Sequence, residues 1–286
     1  MTTQDNTEAI EAWDGPLFDR FLRYRDIVTT ALGAHGERAL ELHPPQPGDR
    51  ALDVGCGFGD TAHRIAELVG PSGAVLGVDA APRFIESARA EYGAKNVRFE
   101  AADVERTAFE EDFDLAFSRF GTMFFANPVN ALRNVRRSLR PGGRLCMVVW
   151  RRKLDNDWIH RAEVVVADYL TKPDDTDEPT CGPGPFSMAN ADTVSDIVLA
   201  AGFEDVEFAR CDAPIRIGRD LDHAIELVTA LGPAGEVIRL LGERASDELP
   251  KVDAALRAGL AEFVQPDGSV VGPASTWIVA ASNPVS

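Results

Sequence analysis

An apolar strand that runs into a glycine-rich turn and then into a helix is the most constraining feature of this sequence. The strand ends at Val54, and Gly55, Gly57 and Gly59 follow at every second position. The first two glycines permit backbone angles and a close ligand approach that a Cβ would block, and the third lets the next helix pack closely. The dinucleotide fingerprint G-x-G-x-x-G would need a glycine where Asp60 stands. The turn is therefore predicted to hold a nucleotide-like ligand through a different pattern, D-x-G-x-G-x-G.

Three further strands follow, and each is predicted to end in residues suited to a ligand. These strands are predicted at residues 74–78, 97–101 and 113–117. Asp79, Asp103 and Ser118 stand at or just past their carboxyl ends, where open α/β sheets bind ligands. An acidic group after the second strand can accept hydrogen bonds from both hydroxyls of a ribose. Asp79 alone does not distinguish a nicotinamide cofactor from other nucleotides.

These motifs, in this order and spacing, resemble the class I S-adenosylmethionine-dependent methyltransferases, and within them the UbiE-like branch that acts on small molecules. The resemblance extends over residues 50–150 and includes the turn at residues 141–143 before a fifth strand. It implies S-adenosyl-L-methionine as the cofactor. The residues that it implies for cofactor binding are Asp53, Gly55, Cys56, Gly57, Gly59, Asp79, Ala80, Asp103, Val104 and Ser118.

The resemblance also implies roles for some of these residues. Asp53 would meet the methionine amino group, Asp79 the ribose, and Asp103 with the backbone of Val104 the adenine ring. The reaction would be an in-line displacement at the sulfonium methyl, in which holding both reactants at near-attack distance is worth about 7–11 kcal/mol. A catalytic base is therefore optional, and the sequence does not specify whether the acceptor atom is oxygen, nitrogen or carbon.

The fold class expected from this order of elements is α/β: a Rossmann-like, seven-stranded, mostly parallel sheet whose last strand runs antiparallel, with a helical cap. Residues 1–48 would form an N-terminal helical lid, and residues 49–217 with 270–286 the methyltransferase core. Residues 218–269 carry apolar residues at helical spacing and would form a helical cap insertion. The same apolar stripes would also suit internal packing or a homodimer interface.

Residues 8–42 predict two helices, separated near Trp13 and carrying an apolar stripe that ends near Gly33. Trp13 would either close over the bound molecules or pack in an apolar core.

Two loops, after the fourth and the fifth strand, emerge at the ligand edge of the predicted sheet. Arg119, Phe120, Phe124 and Trp158 lie in them and are, with Trp13, the candidates for the substrate pocket. Their aromatic rings would wall an apolar pocket or belong to the core. His160 can titrate near neutral pH and is the one candidate for a general base, with an ordinary surface histidine as the alternative.

The composition excludes several kinds of partner. The net charge of −17 and the isoelectric point near 4.7 oppose binding to nucleic acid or to anionic membranes, so a small-molecule substrate is expected. No leader sequence and no apolar run long enough to span a membrane is found, which predicts a cytoplasmic protein.

No metal site is predicted either. The four cysteines, Cys56, Cys146, Cys181 and Cys211, form no C-x-x-C pair, which argues against a zinc site and against a disulfide framework. The acidic stretch at residues 171–184 is predicted to be an exposed loop rather than a calcium site.

Two other functions would use some of the same residues. An NAD-dependent oxidoreductase would share the sheet and Asp79, but Asp60 in place of the third glycine and Asp103 after the third strand argue against it. A catalytically silent S-adenosylmethionine-binding protein would keep every motif.

Overall fold

A computed structural model describes residues 6–93, 96–109, 112–172 and 182–285. The strands are β1 (Arg50–Val54), β2 (Ala74–Asp79), β3 (Val97–Ala101), β4 (Phe113–Arg119), β5 (Leu139–Trp150), β6 (Glu204–Asp212), β7 (Ile215–Gly218), β8 (Val270–Gly272) and β9 (Ser275–Ser282). The α-helices are α1 (Thr7–Ala12), α2 (Phe18–Arg23), α3 (Arg25–Leu42), α4 (Asp60–Val69), α5 (Pro82–Tyr92), α6 (Pro128–Ser138), α7 (Asp157–Tyr169), α8 (Ala191–Ala200), α9 (Leu221–Ala230), α10 (Gly232–Leu241) and α11 (Leu249–Leu260).

Seven strands form the main sheet in the order β3-β2-β1-β4-β5-β9-β6. The first five are parallel to one another, and β9 runs antiparallel to both β5 and β6. The predicted seven-stranded, Rossmann-like sheet with an antiparallel last strand is confirmed. Its central strands are continuous apolar runs because helices cover both faces, and Leu52, Leu115 and Val148 are completely buried.

The N-terminal segment is helical but differs from the predicted pair of helices. A single π-helical turn, Trp13–Leu17, joins α1 to α2, and Gly15 within it leaves helical geometry at φ −107° and ψ −113°. The helix α3 continues past Gly33, where the apolar stripe was expected to end, to Leu42, which is the end of the range predicted to be helical. Glycine lowers helix stability by only about 1 kcal/mol, which packing against the sheet offsets.

The late insertion contains the predicted helices, and two short strands that were not predicted from the sequence flank it. β7 and β8 pair antiparallel in a separate two-stranded sheet, and α9, α10 and α11 lie between them in the chain. The expected start of the cap at residue 218 coincides with the last residue of β7. Within the described residues, every helix is too short or too polar to cross a membrane.

The N-terminal helices and the late insertion are joined by arginines of α2. Arg20 Nη1 donates hydrogen bonds to the backbone oxygens of Ala230 and Gly235, at 3.0 and 3.3 Å, where α9 gives way to α10. Burial is the main cause that lowers the pKa of Arg20, followed by the nearby positive charge of Arg239. One turn further on, Arg23 forms an exposed ion pair with Glu226 at 3.1 Å.

We expect Arg20→Met to lower the free energy of unfolding by about 1–3 kcal/mol, because two carbonyl oxygens lose a charged donor. Arg23→Met is the matched control on the same helix, and we expect a loss of at most about 0.5 kcal/mol because its ion pair is exposed. Urea denaturation of both variants measures the difference. Equal losses would mean that Arg20 does not tie the two segments together.

Candidate active site

A cavity of about 710 Å³ opens at the carboxyl edge of the main sheet. Its floor is formed by the loops that follow β1, β2, β3, β4 and β5. Residues of α1, α2, α3, α9 and α10 line it from the opposite side. The cavity is large enough for a nucleotide-sized ligand together with a second small molecule.

The three glycines after β1 serve three different purposes. Gly55 has φ +68°, and a Cβ there would lie 2.9 Å from the Gly121 Cα atom. Gly57 has φ +52° with nothing within 4 Å of its Cβ position, so its backbone borders open space in the cavity. A Cβ on Gly59 would collide at 2.8 Å with Phe99, whose ring packs behind the turn.

Asp79 binds the glycine turn to the end of β2. Its carboxylate accepts hydrogen bonds from the backbone N–H groups of Gly57 and Ala81, both at 3.0 Å. Burial raises the pKa of Asp79, and these two hydrogen bonds oppose that rise. Asp79, Ala80 and Cys56 all line the cavity.

Asp103 and Val104 line the cavity beyond the end of β3. The Asp103 Oδ1 atom accepts hydrogen bonds from the Glu105 N–H at 3.0 Å and from Asn6 Nδ2 at 3.5 Å. Its Oδ2 atom is buried and makes no hydrogen bond, and Arg106 Nε lies 3.6 Å away. An oxygen acceptor is thus available to a ligand amino group.

Asp53 does not line the cavity, contrary to the expectation that it meets a ligand amino group. Its side chain is 1% exposed, and its Oδ2 atom has no hydrogen-bond partner in the described part of the chain. Burial raises the pKa of Asp53 to about 8, although the positive charge of Arg119 opposes this rise. The carboxyl group is therefore mostly protonated at neutral pH.

Ser118 and His160 also lie elsewhere than expected. Ser118 is 1% exposed, and its hydroxyl donates a 2.7 Å hydrogen bond to the Val54 oxygen, so it joins β4 to the end of β1 instead of reaching a ligand. On α7 the cavity is lined by residues 158, 159, 162 and 163, which share one face of the helix. His160 projects from another face of the helix and does not line the cavity.

The other pocket candidates do come together. Trp13, Arg119, Phe120, Phe124 and Trp158 all line the cavity. The rings of Trp13 and Phe124 meet edge to face, with 4.7 Å between their centroids. Phe120 has φ +63°, which is a strained conformation for a side chain of this size and is typical of functional sites.

An ion pair between Asp60 and Arg119 was not predicted from the sequence. The Arg119 Nη2 and Asp60 Oδ2 atoms lie 2.7 Å apart, and both side chains are largely buried at the cavity wall. The space for Arg119 depends on Gly36 of α3, where a Cβ would lie 2.9 Å from the Arg119 Cδ atom. Asp60, which stands where the dinucleotide fingerprint needs a glycine, therefore forms an ion pair with a residue 59 positions later in the chain.

Several further cavity residues have no signal in the sequence. They come from segments that are distant in the chain: Val28, Met123, Lys153, Glu163, Ile215, Ile217, Leu227, Val228 and Glu236. Of the cysteines, Cys146 and Cys211 are buried away from the cavity, and Cys181 lies outside the described residues. Most of the stretch expected to be an acidic loop, from residue 173 to 181, lies outside them as well.

We expect Gly55→Ala to lower the free energy of unfolding by about 2–4 kcal/mol, since it combines left-handed strain with a backbone collision. Gly57→Ala is the matched control: it carries the same kind of strain without a collision, and we expect a loss of about 1–2 kcal/mol. Urea denaturation distinguishes them. If Gly57→Ala lowered the free energy of unfolding as much as Gly55→Ala does, the close approach of Gly55 to Gly121 would be contradicted.

We expect Asp53→Asn to gain stability relative to the unchanged protein as the pH rises from 5 to 8. In this range the unfolded chain has released the proton of Asp53, whereas the folded chain keeps it because the folded pKa is raised to about 8. The free energy of unfolding of the unchanged protein therefore falls by about 1.4 kcal/mol per pH unit because of this group, whereas that of the variant does not. Denaturation at several pH values measures the slope, and parallel curves would show that Asp53 titrates normally.

Comparison with known proteins was made for the sequence and for the fold. Residues 45–169 match a family model described as a methyltransferase domain. Aklanonic acid methyltransferase DauC of Streptomyces sp. strain C5 is 37% identical over 114 residues, which cover 38% of this chain and 52% of that protein. The ubiquinone/menaquinone biosynthesis C-methyltransferase UbiE of Ectopseudomonas mendocina is 35% identical over 129 residues, which cover 43% of this chain and 50% of that protein. The matched regions thus span about half the length of these relatives.

Solved structures share the fold at low sequence identity. The YcgJ protein of Bacillus subtilis matches with a TM-score of 0.54 and 19% identity, over 89% of this chain and 98% of that one. Phosphoethanolamine N-methyltransferase 2 of Haemonchus contortus was solved with phosphomonomethylethanolamine and S-adenosylhomocysteine. It matches with a TM-score of 0.51 and 18% identity, over 88% of this chain and 53% of that one.

Proposed function

We propose, from the premise that residues 45–169 of this chain are a methyltransferase domain, that the protein transfers the methyl group of S-adenosyl-L-methionine to a small-molecule acceptor. The observation that carries the proposal is the continuity of one cavity. It extends from Asp79 and Asp103 at one side of the sheet edge to Trp150 and Trp158 at the other. A nucleoside at the acidic side would thus share the cavity with a second ligand.

The acidic side of the cavity fits the proposed cofactor. Asp79 keeps a carboxylate at the cavity wall that would accept hydrogen bonds from the ribose hydroxyls. The Asp103 Oδ2 atom, which makes no hydrogen bond within the described residues, would accept one from the adenine amino group, and Val104 would contact the ring. Gly57, with open space at its Cβ position, would let the backbone approach the methionyl chain.

The acceptor would occupy the aromatic side of the cavity. The sulfonium supplies an activated methyl group when the cofactor is bound, so the protein mainly needs to hold the acceptor in line with it. Phe120, Phe124 and Trp150 would exclude water around the acceptor, and Trp13 would close the cavity from the N-terminal segment. None of these four side chains is a base, so their contribution would be alignment of the acceptor and exclusion of water.

A small molecule suits the charge of this chain better than nucleic acid. The net charge of −17 would repel a phosphate backbone. Two of the relatives carry names that refer to small molecules, one to aklanonic acid and the other to ubiquinone/menaquinone biosynthesis. An NAD-dependent oxidoreductase is not favoured, because Asp60 stands in place of the third glycine and is paired with Arg119.

We expect Asp79→Ala to weaken binding of S-adenosylhomocysteine by about 30-fold or more, because hydrogen bonds to a carboxylate are worth about 1.5–3 kcal/mol each. Titration calorimetry measures the affinity. Asp114→Ala is the matched control: this carboxylate also accepts a backbone hydrogen bond, from the Arg50 N–H at 2.8 Å, but at the opposite end of β1.

The control should bind S-adenosylhomocysteine as the unchanged protein does. Binding of NAD without binding of S-adenosylhomocysteine would overturn the proposal. Tight binding of labelled S-adenosylmethionine, with no methyl transfer to any fraction of a cell extract, would instead support a silent binding protein.

A further inference from the structure

An ion pair between Lys153 and Glu163 lies in the wall on the acceptor side of the cavity. The Lys153 Nζ and Glu163 Oε1 atoms are 2.6 Å apart, and both residues line the cavity. Lys153 follows β5 and Glu163 lies on the cavity face of α7, beside Trp158 and Ile159. The sequence contains only four lysines, so a lysine at this wall is an unusual feature of the chain.

The two residues together present a neutral, hydrogen-bonding surface. An ammonium group has three N–H donors, of which the bond to Glu163 uses one, and a carboxylate has acceptor positions beyond the one used. The side chains are 41% and 29% exposed, so a ligand in the cavity can reach them. A group that both accepts and donates a hydrogen bond, such as a hydroxyl, matches this pair. Because the two charges largely cancel, the pair offers neither an anion nor a cation an uncompensated partner.

The surroundings of the pair favour an aromatic ring on the ligand. The Lys153 Nζ atom lies 5.8 Å from the centre of the Phe186 ring, and both Phe186 and Trp158 line the same part of the cavity. Other charged groups at this side are the pair of Glu236 with Arg239, and Lys172 at an exposed position.

The position of the pair separates it from the proposed cofactor side. β5 lies three strand spacings from β2 in the sheet, which corresponds to about 14 Å at 4.8 Å per strand. A ligand group held by Lys153 and Glu163 would therefore lie on the side of the cavity away from Asp79. The pair is suited to select and orient an acceptor.

We propose that Lys153 and Glu163 determine acceptor specificity by binding a neutral hydroxyl group on an aromatic acceptor. This inference rests on the proposed function and names the class of its acceptor: a hydroxylated aromatic molecule in preference to an aromatic carboxylate. Lys153 donates to the hydroxyl oxygen, and Glu163 accepts its proton in a hydrogen bond. Neither residue is assigned a role in breaking the bond to the methyl group.

The experiment compares 2-naphthol with 2-methoxynaphthalene and with naphthalene-2-carboxylate by titration calorimetry, with and without S-adenosylhomocysteine. We expect 2-naphthol to bind about tenfold more tightly than either of the others, the effect of one hydrogen bond to a charged group. In Lys153→Met and in Glu163→Gln the preference should fall below about threefold. Lys251→Met is the matched control, because Lys251 forms an exposed pair with Glu248, and it should keep the full preference.

Three results would overturn the inference: an unchanged preference in both variants, tighter binding of the carboxylate, or no binding of any of the three probes. Failure of the proposed function would look different. In that case S-adenosylhomocysteine would not bind to the unchanged protein, while the titrations without it would still show whether a hydroxyl is preferred. Thermal unfolding of each variant shows whether a changed affinity reflects a damaged fold.

Discussion

The hydrogen bond from the Gly57 N–H to the Asp79 carboxylate holds the turn after β1 against the end of β2. On the other side of β1, the close approach of Gly55 to Gly121 holds the same turn against the loop after β4. Three neighbouring strands are thereby linked at one edge, and the contact between Gly55 and Gly121 leaves no room for a side chain. A shift of the turn would break contacts on both of its sides.

The cover of the cavity is built differently, from segments at the two ends of the chain. Asp14, in the turn after α1, accepts a 2.7 Å hydrogen bond from the Arg83 N–H and so caps the start of α5, which has no capping side chain of its own. Arg20 of α2 donates hydrogen bonds to backbone oxygens at the junction of α9 and α10 in the insertion. The N-terminal segment thus contributes to the stability of the core and also lines the cavity.

The sequence predicted those parts of the site that are encoded locally. Strand ends, glycine turns and the acidic residues beside them are separated by a few positions, and their arrangement follows from the order of a parallel sheet. Asp53 shows where this reasoning fails. It stands two residues before Gly55, but side chains alternate between the two faces of a strand, and burial of that face, not sequence position, decides whether a ligand can reach the carboxyl group. The pairing of Asp60 with Arg119 has no local signal, because it depends on how closely α3 approaches β4.

The charged groups around the cavity divide it into two electrostatic environments. On the acceptor side, Lys153 is paired with Glu163, and Glu236 with Arg239, so each pair contributes little net charge. At the ends of β2 and β3, Asp79 and Asp103 face the cavity, and the positive charge beside Asp103 is the exposed side chain of Arg106. A cationic ligand is therefore favoured near the carboxylates and a neutral one near the pairs. Because charge interactions strengthen where water is excluded, closing the N-terminal cover would increase this difference.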